Sequence, residues 1–152
     1  MADNNWYEKK EGKAEHLVYL DNEGKELQKL LNKEKTMIIR AAAAKKSPLG
    51  GRAKIGDVIY FVEKGGDMMV THRAILTEVI EKYELTPDES VQYINGFNKQ
   101  LNLSEKQKLW WYGKKYIGLY EISKMESIEA FKYNRTKNMD DWIITDNINQ
   151  IK

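Results

Sequence analysis

The 152-residue chain contains no cysteine, two prolines and two histidines. Without cysteine it has no disulfide, no thiolate nucleophile and no cysteine metal ligand, and we expect a cytoplasmic protein. The two histidines, His16 and His72, are far apart in the chain and form no metal-binding spacing or HExxH motif. A Ser–His–Asp arrangement is not visible either. The sequence therefore predicts no metal site and no cofactor.

Long apolar runs are also missing. No apolar stretch approaches the ~20 residues that cross a bilayer, so we expect no membrane partner. The first ten residues, MADNNWYEKK, lack the apolar core of a secretory signal. Residues 1–13 are polar and charged, and we expect a flexible N-terminal segment there, followed by a single domain at 14–152.

The numbers of basic and acidic side chains are nearly equal. The 25 basic and 23 acidic side chains give a net charge of +2, so the attraction of the whole molecule to a polyanion is weak. Any anion binding must therefore come from local clustering. Residues 45–54 form such a cluster, because this segment carries Lys45, Lys46, Arg52 and Lys54 and no acidic residue.

The apolar spacing predicts several short strands with helices between them. Strands are predicted at 16–20, 37–40, 58–63, 69–80, 116–122, 128–133 and 142–144. A first helix is predicted after Asp21 or Asn22. A second helix from Thr86 to Leu101 and a third from Ser104 each begin with the spacing of a capping box. This order predicts an α+β fold, a small curled mixed sheet or pseudo-barrel with inserted helices.

The basic segment between two predicted strands is a candidate binding loop, which we call the basic connector (residues 43–57). Gly50 and Gly51 can turn backbone N–H groups toward an oxyanion, and Arg52 offers a planar fork for phosphate. Arg40 lies in the predicted strand before the connector, so Arg40 and Arg52 would lie near its two ends. The spacing of a P-loop is absent. The alternative is a solvated turn whose cations serve solubility.

Two tryptophan-containing segments are candidates for base recognition. Stacking of a base on Trp111 would be worth ~1–3 kcal/mol, although consecutive aromatic residues on a helix cannot all face one ligand. Near the C-terminus, Asp141 would accept hydrogen bonds from a base edge while Trp142 supplies a flat surface. A turn residue beside a core tryptophan explains this second pair equally well.

Three segments resemble domains of the PUA-like superfamily, which includes PUA, ASCH, EVE and YTH-type domains. They are MIIRAAAAKKSPLGGRAKIGDVIYFVEKGGD, GKKYIGLYEI and MDDWI. The Gly-Asp pair before the strand VIYF is frequent in such domains. The resemblance implies a pseudo-barrel with a cleft that binds RNA or a modified base.

One branch of this superfamily, the ASCH domains, has a Gly-x-Lys-x-x-Glu-x-Arg pattern that the chain matches in part. Aligning Arg40 with the arginine places Lys35 on the lysine. Lys33 then replaces the glycine, and Ile38 replaces the glutamate. The branch within the superfamily therefore stays open.

These features predict a non-enzymatic module that binds a nucleotide, or a modified base within RNA or DNA. The expected ligand-binding residues are Arg40, Lys46, Gly51, Arg52, Trp111, Asp141 and Trp142. The alternative is an enzyme that cleaves RNA or processes a small molecule, using Lys35 or Lys46 with Tyr60 or Asp141 as acid and base. A protein-interaction module using the patch Trp110–Tyr112 is a third option. The ligand and the oligomeric state stay open.

Overall fold

The computed structural model describes residues 12–64, 67–133 and 141–152. The strands are β1 (Glu15–Asp21), β2 (Met37–Ala42), β3 (Val58–Lys64), β4 (Met69–Lys82), β5 (Tyr116–Lys132) and β6 (Trp142–Thr145). The helices are α1 (Glu26–Leu31), α2 (Pro87–Asn95), α3 (Asn98–Leu101) and α4 (Glu105–Trp111), followed by a 3₁₀ turn at Ile148–Ile151. Most of the predicted flexible segment 1–13 and the glycine pair of the β3–β4 turn lie outside the described residues.

The six strands form one mixed sheet in the order β2-β5-β4-β3-β1-β6. β1 runs parallel to β3, and the other paired strands are antiparallel. Although β2 and β6 are at opposite ends of this order, the guanidinium carbon of Arg40 on β2 lies 5.6 Å from the ring centroid of Trp142 on β6. The ring of Tyr120 on β5 lies 4.8 Å from the same indole. The sheet therefore curls into a half-barrel, which confirms the predicted fold class.

The inward-facing side chains of the curled sheet form the main core. They alternate along each strand with residues that face the other side, as the pleat requires. They include Val18, Leu20, Ile38, Ile59, Phe61, Leu76, Tyr120, Ile122 and Trp142. On the other face, α2 and α3 cover β2 and β5 through Ile94 and Leu101.

Both predicted capping boxes are present. The Thr86 hydroxyl accepts a hydrogen bond from the Glu89 N–H, and Ser104 accepts one from the Gln107 N–H. Two helix boundaries differ from the prediction. The segment predicted as one helix from Thr86 to Leu101 is divided, because α2 ends at Asn95, with Gly96 as its C-cap, and α3 begins at Asn98. Helix α1 starts after Lys25, since β1 extends through Asp21.

The segments 116–122 and 128–133, predicted as separate strands, belong almost entirely to the single strand β5. Its middle is polar and exposed, so the apolar pattern is interrupted there. Pairing with β4, for example His72 with Ser127 and Arg73 with Glu126, continues across this polar stretch. Backbone hydrogen bonds to a neighbouring strand do not require an apolar side chain. For this reason the apolar periodicity of the sequence did not show that β5 is one continuous strand.

Candidate functional site

A cavity of about 300 Å³ lies where β2 faces β1, two strands that do not pair, with α4 on one side. Its walls come from the ends of β1 and β3 (Lys64), the start of α1, β2, α4 and the residue before β6. We call it the seam pocket and define it by the six residues Asp21, Glu26, Arg40, Trp110, Trp111 and Asp141. Three of the seven predicted binding residues therefore meet here: Arg40, Trp111 and Asp141.

Arg40 is held rigidly at the seam pocket. Its Nη1 donates to the Ile39 carbonyl at 2.8 Å, and its Nη2 donates to the Tyr19 carbonyl at 2.5 Å. These bonds direct the fork of the guanidinium at the backbone, so it is not presented to a phosphate. The buried Nε has no hydrogen-bond partner among the described residues and lies 3.5 Å from Oδ2 of Asp141. A buried N–H donor thus lies beside a carboxylate at the wall of the pocket.

Glu26 adds a second, more deeply buried carboxylate. Its Oε1 accepts the backbone N–H of Asp21 at 2.8 Å, and its Oε2 lies 3.4 Å from the Nζ of Lys35. Lys35 is itself buried, and it also donates to the Leu101 carbonyl. Burial lowers the pKa of Lys35, although the charge and hydrogen bonding of Glu26 oppose this.

Sequence reasoning did not select Glu26, although one signal was present. Glu26 and Leu30 are four positions apart, so they lie on the same face of α1, and both are buried. An acidic residue in the apolar stripe of an amphipathic helix indicates a buried partner or a site. Asp21, at the end of β1, carried no comparable signal in the sequence.

Two indoles form the aromatic wall of the seam pocket. The rings of Trp110 and Trp111 are 6.2 Å apart and perpendicular. Trp111 is half-buried and also packs against the apolar cluster that contains Ile94 and Leu101, whereas Trp110 is more exposed. Both tryptophans therefore line one cavity, and of the three consecutive aromatic residues it is Tyr112 that does not, since its hydroxyl donates to Oδ1 of Asn95 at 2.6 Å. The neighbouring Leu109 is exposed and does not line the pocket.

Trp142 is fully buried, which corrects the stacking role expected for it. One side of its indole meets Arg40 and another meets Tyr120, so it offers no open face to a base. Its Nε1 donates to Nδ1 of His16 at 2.9 Å, and Nε2 of His16 lies 2.7 Å from Oδ2 of Asp57. Because the indole N–H only donates, Nδ1 of His16 must accept and Nε2 must carry the proton donated to Asp57.

Hydrogen bonding decides the charge state of Asp57 at the end of this chain of contacts. Burial alone would raise the pKa of Asp57, but hydrogen bonds from His16 and from the backbone N–H groups of Lys54 and Ala14 lower it. The ionised carboxylate therefore fixes the end of the basic connector to β1. Trp142 belongs to the same buried hydrogen-bond network and packs against the guanidinium of Arg40.

The basic connector does not line the seam pocket. Lys46 and Arg52 are exposed on its surface. The N–H of Gly51, expected to bind an external oxyanion, instead donates to Oε1 of Glu81 at 3.0 Å. The anion at this glycine turn is thus supplied by the protein itself. The connector is nevertheless attached beside the pocket, since the Ser47 hydroxyl donates to the carbonyl of Trp142 at 2.9 Å.

Glu81 is expected to hold the basic connector against the sheet, because it also accepts the hydroxyls of Tyr83 and Tyr120 at 2.6 and 2.7 Å. The Glu81→Ala variant leaves the buried Tyr120 hydroxyl without this acceptor, at a cost of about 1–3 kcal/mol in the free energy of unfolding. Deuterium uptake of residues 45–54 should rise in hydrogen-exchange mass spectrometry. Unchanged uptake there would contradict the anchoring role, and the exposed substitution Glu129→Ala serves as the control.

Neither of two further site types is found in the part of the chain that the structure describes. Within 12–64, 67–133 and 141–152, no group of three or more imidazole or carboxylate side chains could hold a metal ion. Across the same residues, no helix has the length and apolar content needed to cross a bilayer.

His72 lies half-buried on β4, where its Nδ1 is 2.8 Å from the Thr71 hydroxyl.

Comparison with known proteins gives a match in fold. No protein-family model and no curated protein sequence matches the chain. The crystal structure of ASCH from Zymomonas mobilis matches with a TM-score of 0.57 and 15% sequence identity, covering 78% of this chain and 73% of that one. The chain has the fold of an ASCH domain.

Two mutants of the same Zymomonas mobilis protein give the same result for this ASCH-like fold. The serine-to-alanine and tyrosine-to-phenylalanine mutants each match with a TM-score of 0.57 and 16% identity. They cover 78% of this chain, and 73% and 75% of their own chains. ASCH domains belong to the PUA-like superfamily, so the resemblance read from the sequence is supported at the level of the fold. At this identity the likeness carries no residue roles.

Proposed function

We propose that the protein is a binding module for a nucleobase-bearing ligand, either a nucleotide or a base within single-stranded RNA or DNA, and that the seam pocket receives the base. One observation carries the proposal: the Nε of Arg40, which makes no hydrogen bond, lies 3.5 Å from the Asp141 carboxylate at the wall of a cavity that Trp111 also lines. A base edge requires adjacent hydrogen-bonding groups, and its face requires a flat partner. The pocket offers both.

The size of the seam pocket supports a small ligand. Its volume of about 300 Å³ is at the lower end of the range for small-molecule sites, roughly 300–1,000 Å³. A base or nucleoside is therefore a better match than a duplex. The wall carries three acidic side chains, Asp21, Glu26 and Asp141, against the two basic ones of Arg40 and Lys64, so it does not favour a phosphate and the phosphates are expected to remain outside.

The basic connector supplies cations for those outer phosphates. It leaves β2 shortly after Arg40, and Ser47 ties it to the backbone of Trp142, the residue that follows Asp141. The exposed Lys46 and Arg52 thus belong to a loop joined to the pocket at two points. In this proposal they contact the backbone of a nucleic acid, and the affinity for an oligonucleotide decreases as salt rises.

Substitution of Trp111 tests the proposal. Because stacking on an aromatic ring is worth ~1–3 kcal/mol per base, Trp111→Ala is expected to weaken binding of a labelled single-stranded oligonucleotide about 10- to 100-fold in fluorescence anisotropy titrations. Leu109→Ala is the matched control, since this neighbour on α4 lies outside the pocket. Equal affinity of the Trp111 variant and the parent protein would count against the seam pocket, and no binding of any nucleotide would overturn the proposed function.

An enzyme on the same fold is the second candidate, favoured by one observation. Lys35 is buried with a lowered pKa, and its partner Glu26 lines the seam pocket. A lysine of this kind is able to act as a base or nucleophile closer to neutral pH than an exposed one. Of the other residues considered for such an enzyme, Asp141 lines the pocket, whereas Lys46 is exposed and Tyr60 lies in an apolar cluster.

Mass spectrometry of recovered ligand distinguishes the two functions. A binding module returns the nucleotide or oligonucleotide unchanged after prolonged incubation with the protein. A change in ligand mass that requires Lys35 would favour the enzyme.

A further inference from the structure

We propose that the base received by the seam pocket is guanine, an inference that rests on the proposed function. In the pocket a buried N–H donor lies beside a carboxylate, which only accepts hydrogen bonds. Guanine presents a carbonyl oxygen next to two adjacent N–H donors along one edge. The Nε of Arg40 therefore donates to O6 of guanine, while Asp141 accepts from N1–H and from the 2-amino group.

Arg40 provides a donor whose position is fixed before a ligand arrives. Its two terminal nitrogens are engaged by the carbonyls of Ile39 and Tyr19, and the indole of Trp142 lies beside the guanidinium. Only 7% of Arg40 is exposed, so water has little access to it. Its Nε is paired with the Asp141 carboxylate at 3.5 Å but makes no hydrogen bond, and a ligand carbonyl that reaches Nε would supply that bond.

Asp141 provides the complementary acceptors. Its backbone carbonyl accepts the Tyr19 N–H at 3.0 Å, so the main chain is tied to β1. Its side chain is 39% exposed, which leaves the carboxylate accessible from the pocket. Two carboxylate oxygens are able to accept the two parallel N–H donors of one guanine edge, in the arrangement that carboxylates use with other paired donors.

The other bases fit this pair of groups less well. In the same orientation adenine would place its amino group against the Arg40 donor and its ring nitrogen against the Asp141 acceptor, so both contacts would be repulsive. Uracil has a single N–H donor on this edge. It therefore makes one hydrogen bond to each group and is expected to be the second choice, whereas cytosine, like adenine, places its amino group against the Arg40 donor and its ring nitrogen against Asp141.

Calorimetric titration of nucleoside monophosphates tests the inference. The unmodified protein should bind GMP at least 10-fold more tightly than AMP, because a bidentate base contact gives roughly 1–3 kcal/mol of discrimination. IMP, which lacks the 2-amino group, should bind more weakly than GMP. Equal affinity for all bases, or a preference for AMP, overturns the guanine inference while the proposed function stands. Binding of no nucleotide or oligonucleotide overturns the proposed function itself.

The Asp141→Asn variant separates base reading from a structural role. Its amide offers an N–H in place of one acceptor, so GMP affinity should fall and XMP affinity should rise, because xanthine has a carbonyl oxygen where guanine has the 2-amino group. Glu129→Gln, an exposed change outside the pocket, should preserve the preference for GMP. A uniform loss for all nucleotides in the Asp141 variant would contradict base reading, and the ranking in the unmodified protein decides the matter even if the variant does not fold.

Discussion

The Trp142→Ala variant is expected to lose about 3–5 kcal/mol in the free energy of unfolding, the range for truncating a large aromatic side chain in a core. Trp142 is fully buried between β5 and β2, where it contacts Tyr120 and Arg40. Its removal leaves a cavity at the closure of the half-barrel and takes the donor away from Nδ1 of His16. Urea denaturation followed by circular dichroism measures the loss.

A more conservative change at the same position separates packing from hydrogen bonding. Trp142→Phe retains most of the ring contact but removes the indole N–H, so we expect a smaller loss of about 1–3 kcal/mol. Ile55→Ala, at an exposed position of the basic connector, should change stability by no more than about 0.5 kcal/mol. A Trp142→Ala variant as stable as the parent would contradict the core role of Trp142. Stacking of a base on this indole would then have to be considered again.

The Lys35→Ala variant is expected to be destabilised by about 3–5 kcal/mol, because it leaves the carboxylate of Glu26 buried without its charged partner. The Leu101 carbonyl loses a donor as well. Replacing both partners in a Lys35→Met/Glu26→Gln variant should recover most of the loss, since no unpaired charge then remains. Failure of the double variant to recover would mean that the ion pair is not the cause of the effect.

The pH dependence of stability provides the second part of this test. Burial lowers the pKa of Lys35 from 10.5, so between the lowered value and 10.5 the unfolded chain binds more protons than the folded one. In that interval the contribution of Lys35 to stability increases with pH. The stability difference between the parent protein and Lys35→Met should therefore grow in favour of the parent from neutral toward alkaline pH. A constant difference would contradict the lowered pKa.

Local features of the sequence predicted the elements that depend on neighbouring residues. The capping boxes at Thr86 and Ser104 require only groups three positions apart, and both are present. Most strands were likewise located from apolar alternation. The prediction wrongly divided strand β5 into two strands. Its polar middle is held in the sheet by pairing with β4, and the apolar alternation of a single segment does not reveal such pairing.

The site was predictable only in part, for a similar reason. Arg40, Trp111 and Asp141 were selected by chemical type, and the curled sheet brings them to one cavity. The Gly51 amide was also selected by chemical type, but its distant partner Glu81 takes the place expected for an external anion. Glu26 was overlooked, since its importance depends on its contact with Lys35 across the fold.

By itself, the sequence determined the fold class, the positions of most strands and helix starts, and the location of the basic connector. These features follow from composition and from interactions between residues close together in the chain. Tertiary structure alone decided that the cations of the connector lie outside the cavity, that Trp142 is core, and that an N–H of Arg40 meets the Asp141 carboxylate. These long-range contacts depend on how strongly the sheet curls and on where α4 packs, and both are properties of the whole core.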